Sequence, residues 1–148
     1  MEPTFYTNAP VEDMANDLIQ KYDELSDCSS AIIKYVFKNA EKSKHAGVCS
    51  KATGKWKFLV DVDYVIELHF ETWDELDELQ QKALLFHELH HIEKQTKVKD
   101  GEEIVTWKIR EHTNQLFLKE VELFGAWNSS LVQLQNAFLG IKTQADLE

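Results

Sequence analysis

The residues best equipped for chemistry in this chain form one short run, His87-Glu88-Leu89-His90-His91. His87 and His91 are four apart, so on a helix their imidazoles share a face and converge on one point. Zinc takes tetrahedral nitrogen ligands and, in a catalytic site, keeps one position open for water. The pair supplies two of those ligands. Glu88, next to the first histidine, reaches beside the metal, where it can take a proton from a zinc-activated water and hand it to a leaving amine. The chemistry that follows is hydrolysis of a peptide bond. The bland alternative is a helix whose histidines only line a polar face.

Two histidines do not close a zinc site, and a third ligand has to come from elsewhere in the chain. His112, at the start of the next predicted helix, is the first candidate. Glu111 beside it serves by charge, and Glu120 and Glu122 lie deeper in that helix. His90 is rotated about 100° from His91 on a helix and points to the core or to the surroundings of the metal. His69 precedes the motif helix and reads as cleft lining or polar surface. For an oxyanion stabiliser the chain offers Tyr64, His69, His90 and Arg110 without choosing among them.

The elements that must hold these groups are legible in the apolar spacing. One long helix is predicted from Thr72 to His91. Thr72 and Glu75 are spaced as a capping box, acidic residues crowd the first turns, and Leu76, Leu79, Ala83 and Phe86 form a stripe. Val60 to Phe70 alternates as a half-buried strand leading into it. Upstream, Met14 to Leu25 reads as an amphipathic helix from Val11. Ala31–Phe37 and Gly47–Ala52 read as strands joined by a basic loop, with a turn at Gly54. Lys99-Asp100-Gly101-Glu102 has hairpin chemistry. A helix from His112 or Thr113 stops at Gly125, and a last helix runs from about 128 to 142. Trp73, Trp107 and Trp127 read as core anchors. A single domain over residues 1–148 is expected, with its core at about 11–127.

Composition narrows the functions. The 148 residues are 43% hydrophobic and 28% charged, with 5 Gly and 2 Pro, as in a globular chain. The net charge of −10 disfavours a nucleic-acid partner, which calls for a basic footprint. The basic run Lys34, Lys38, Lys42, Lys44, His45 and Lys51 reads as a solvated face. The opening Met1-Glu2-Pro3-Thr4 has no apolar run behind it, and no stretch is long enough to span a membrane. Cys28 and Cys49 fall in no CxxC spacing and read as free thiols of a cytoplasmic protein.

Beyond the five-residue motif, the chain resembles the phage metallopeptidases, relatives of the SprT-like zinc peptidases (HExxH zincins). The resemblance rests on Ile32–Phe37, Gly47–Ala52, Asp63–Leu68, Trp73–Leu76, Lys82–His91 and Val121–Trp127, in that order. It implies a small α+β zincin-like fold, with a short mixed or antiparallel sheet packed on the active-site helix between N- and C-terminal helices. Carried over by position, it makes His87, His91 and His112 the zinc ligands and Glu88 the catalytic residue. His112-Thr113 replaces a histidine-aspartate pair, and His90 stands where many members carry cysteine. The resemblance also implies a phage product working in the host cytoplasm on a protein or peptide substrate, of host or phage origin.

Three functions are thus in contention. The first is a zinc-dependent metallopeptidase. The second is an acidic binding protein that blocks a host defence complex, its zinc purely structural and fully enclosed by protein ligands. The third is a peptidase for DNA-crosslinked proteins, which the charge disfavours. Glu88 separates the first two, because only an enzyme needs it.

Overall fold

The computed structural model describes residues 4–39, 46–111 and 123–125. The chain forms two compact units, Met1–Glu111 and His112–Glu148, and the sheet, helices and hairpin described here belong to the first. Its main sheet has four strands: β1 (Thr4–Tyr6), β2 (Ile33–Asn39), β3 (Gly47–Lys51) and β4 (Tyr64–His69), in the order β1-β2-β4-β3. β2 runs parallel to β4, whereas β1 on β2 and β3 on β4 are antiparallel. The fold is therefore α+β with a mixed sheet, as the resemblance implies.

The alternation in the fourth strand explains its central place. Tyr64, Ile66 and Leu68 are fully buried while Val65 and Glu67 are half-buried, the signature of a strand with one face on a core. On the same side β2 contributes buried Tyr35 and Phe37. Phe37 gathers Tyr6, Phe70 and Trp73 around it with ring centroids 5.5–5.9 Å apart.

The strand is shorter than its alternation predicts, because residues 54–60 form α2 (Gly54–Val60) and Asp61 turns the chain at φ 53°. Asp63 sets the new starting point. Its buried carboxylate accepts the Ile32 N–H at 2.8 Å and pairs with Lys57 at 3.1 Å, and its backbone bonds Ile32 and Ala52. One residue thereby ties the starts of β2 and β4 to the end of β3. α2 buries nothing of its own, and Phe58 is 86% exposed.

The N-terminal helix α1 (Ala9–Lys21) starts where Asn8 accepts the Val11 N–H, with Pro10 in its first turn. Val11, Ala15 and Leu18 are its buried stripe. It stops earlier than predicted. Tyr22 is extended, and a 3-10 segment, Asp23–Ser30, follows with Leu25 and Cys28 buried three apart.

The long helix predicted over Thr72–His91 is two helices, α3 (Phe70–Glu75) and α4 (Glu78–Leu89). Leu76 is extended between them. Thr72 lies inside α3, and the capping box is made by Asp77, which accepts the Gln80 N–H at 2.8 Å while the Gln80 side chain accepts the Asp77 N–H at 3.0 Å. Asp outranks Thr as a cap, and the closed reciprocal pair gives α4 its own start. α4 then buries Ala83, Leu84, Leu85, Phe86, Glu88 and Leu89, nearly a full circumference in its last two turns.

The chain leaves α4 directly into a hairpin, β5 (Ile92–Lys99) and β6 (Glu102–Ile109). Asp100 and Gly101 take φ values of 53° and 80°, the geometry of a two-residue turn with both central residues left-handed. The hairpin base is buried at Ile92 and Trp107, and its far half is exposed. Trp73 and Trp107 are buried as predicted. The helices expected from His112 and from 128 onward, and Trp127, lie outside the described residues, except that Leu123 and Phe124 are helical and Gly125 follows at φ 73°, where a stop was expected.

Asp77→Ala should cost about 1 kcal/mol of stability through loss of the α4 cap. Thr72→Ala should stay within about 0.5 kcal/mol. Urea unfolding of both variants checks the assignment: a larger loss at Thr72 would restore the single long helix.

Candidate metal centre

The HExxH run sits across the end of α4 rather than in its middle. His87 and Glu88 occupy the last turn, Leu89 ends the helix, and His90 and His91 form the turn beyond. The turn stays tight because the His91 N–H donates to the Glu88 carbonyl at 3.2 Å. As a result the four-residue spacing still brings the two imidazoles together, with ring centroids 5.0 Å apart. One donor atom each from His87, Glu88 and His91 lies within 4.8 Å of the others. Among the described residues this is the one group of three such side chains placed to share a cation.

The donor set suits a divalent metal. The His91 Nδ1 lies 2.7 Å from the Arg110 carbonyl. A carbonyl only accepts, so Nδ1 is the donor, and in the neutral ring the lone pair is on Nε2, the nitrogen a metal would take. Glu88 is 5% exposed. A carboxylate so far from water is costly without nearby positive charge or hydrogen bonds, and a cation held by the two imidazoles would supply the former.

Sequence reasoning missed Gly47. It stands on β3, the strand at the end of the sheet, where a Cβ would lie 3.3 Å from the Glu88 Cγ and 3.2 Å from a Leu68 methyl. The absent side chain lets the strand lie directly on the carboxylate. A glycine opening a strand is the available signal, since it marks a close approach of backbone to something else. Cys49 projects on the same face as Gly47, two residues on. Burial, with the Glu88 carboxylate adding to it, pushes its thiol above the usual range. Burial likewise pushes the Cys28 thiol up to about 12. Both cysteines are free, as expected.

The other candidates divide. His90 packs its ring on Phe86 at 5.3 Å, as its rotation predicted. His69 is buried at 3% exposure rather than polar surface, because it closes β4 against Lys38 of β2. The Tyr64 hydroxyl donates to the Lys108 carbonyl, and the Arg110 guanidinium is engaged by the His90 carbonyl and Asp27. The Tyr64 hydroxyl has thereby spent its one hydrogen, whereas the guanidinium keeps further N–H groups. Glu111 is exposed. His112, Glu120 and Glu122 lie outside the described residues, as do Lys42, Lys44 and His45 of the basic run. Lys34 and Lys38 share the outer face of β2, and Lys34 is exposed there.

Gly47→Val should cost about 1–3 kcal/mol by overpacking against Glu88 and Leu68, and Gly47→Ala less. Chemical denaturation measures both. A Val variant as stable as the parent would mean that β3 is not seated on the carboxylate.

No curated protein and no solved structure matches the chain. The model of one protein family does, over residues 4–137, and the family is described as "Putative phage metallopeptidase". That span takes in every described strand and helix together with the histidine pair, and the chain belongs to this phage metallopeptidase family.

Proposed function

We propose that the chain is a zinc-dependent metallopeptidase of the HExxH type, hydrolysing peptide bonds in a host or phage protein in the cytoplasm of the infected cell. The observation that carries the reading is the meeting of His87, His91 and buried Glu88 within 4.8 Å at the end of α4. The family supports a metal ion and a protein or peptide substrate. Because the family match crosses both compact units, we read residues 1–148 as one metallopeptidase domain.

His87 and His91 are the first two zinc ligands in this reading, and His112 is the third. Held there, a zinc ion would supply Lewis acidity to the scissile carbonyl and would lower the pKa of water from 15.7 to about 7. Glu88 takes the proton of the attacking water and passes it to the leaving amine. Burial suits it to that task, since a carboxylate shielded from bulk water exchanges protons with the reacting groups beside it. The substrate lies along β3 as an added strand, because that strand ends the sheet and rests on Glu88 at Gly47. Among the described residues no helix is long and apolar enough to cross a membrane.

Glu88→Gln should lower kcat/KM on a cleavable protein by about 10²- to 10⁴-fold while zinc content stays at that of the parent. A parent that cleaves nothing, with inhibition of a host complex that survives in the Gln variant, would turn the reading to the acidic binding module. Elemental analysis of His112→Ala beside the parent should show zinc lost or much weakened. Zinc retained there would move the third ligand to a glutamate.

A further inference from the structure

Helix C-termini leave carbonyls without intrahelical partners, and cations stabilise that end. In α4 this end carries the two histidines, and the chain returns to it at Arg110, directly after β6. Arg110 meets the His90-His91 turn at three points. Its N–H donates to the His91 carbonyl at 2.6 Å, its carbonyl accepts from His91 Nδ1 at 2.7 Å, and its guanidinium donates to the His90 carbonyl at 2.8 Å. The other guanidinium nitrogen pairs with Asp27 at 3.3 Å. The same Asp27 oxygen accepts the Lys94 N–H at 3.0 Å, just inside β5. Next to Asp27, the Cys28 Sγ donates to the Leu89 carbonyl at 3.2 Å.

From this geometry we infer that Asp27 and Arg110 form a clamp that positions His91 for metal binding. The inference rests on the metallopeptidase reading of His87 and His91. The Arg110 backbone fixes the imidazole, and the Arg110 side chain fixes that backbone. Asp27 holds the guanidinium and, through Lys94, the first residues of β5. His91 thus sits where the two strands meet, beside one carboxylate oxygen that bonds both the Lys94 N–H and the Arg110 guanidinium. Tyr64 also fastens the hairpin base, through the Lys108 carbonyl, but its hydroxyl does not touch the His90–Arg110 set.

The test is a zinc titration of the full chain by chelator competition, at a temperature where every variant is folded, with the cobalt(II) visible spectrum as a second readout. Asp27→Asn keeps an acceptor for Lys94 and removes the charge facing Arg110. It and Arg110→Gln should each weaken zinc binding about 10-fold and alter the cobalt bands. Arg110→Lys should recover part of the affinity. Tyr64→Phe loosens the hairpin without touching the clamp, and should lower the melting temperature but leave zinc affinity within about 2-fold. Unchanged zinc affinity in Asp27→Asn and Arg110→Gln would overturn the clamp, and so would an equal loss in Tyr64→Phe. A parent chain that takes up no zinc would overturn the metallopeptidase reading first and the clamp with it, so the two failures are told apart in one titration.

Discussion

Taking the Glu88 carboxylate out of water carries a desolvation cost, and the arrangement around it bears on that cost. Glu88 is buried on a helix whose neighbours are Leu, Phe and Leu, under a strand that has given up a side chain to lie on it. Two imidazoles share its end of the helix. A divalent cation between them would return in Coulomb attraction what burial takes away, and it would do so in a medium less screening than water. Stability and chemistry therefore place the same demand on this corner of the fold: positive charge beside Glu88.

The sheet serves that corner from a distance. β4 lies inside the sheet with large apolar residues on its inward face, and β3 is carried on it in antiparallel register from Gly47↔Leu68 to Lys51↔Tyr64. The register decides which residue of β3 meets Glu88. A slip of one residue would put Val48 where Gly47 stands, with no room for its side chain, so the close approach itself guards the pairing.

Much of this was legible in the sequence. The histidine spacing, the alternation in Tyr64–His69, the Asp100-Gly101 turn and the apolar stripe of the helix from Val11 to Leu18 all follow from local chemistry that the fold leaves in force. The misreadings come from competition between equal signals. Thr72-x-x-Glu75 and Asp77-x-x-Gln80 are both capping patterns, and only the extended conformation at Leu76 decides between them. Val60 fits the strand alternation as well as it fits the end of α2, and the tie was broken by Asp63, whose partners Ile32 and Lys57 come from other elements. Gly47 and the Asp27–Arg110 pair were invisible for a different reason. Each acts on residues 41 to 83 positions away in the chain, and no periodicity reports such contacts.

The hairpin divides into two halves with different fates. Its root is fastened at Ile92, Trp107, Tyr64 and Arg110, whereas its far half, from Thr96 to Val105, stands in solvent around a two-residue turn. Descent within the family should then run at two speeds along sixteen residues of ladder. The root should be held to its present length and register, since a residue gained there would turn the strand over beside the histidine pair. The tip should be free to lengthen, shorten or exchange its side chains, which makes it the part of the molecule where family members can diverge without rebuilding the candidate metal centre.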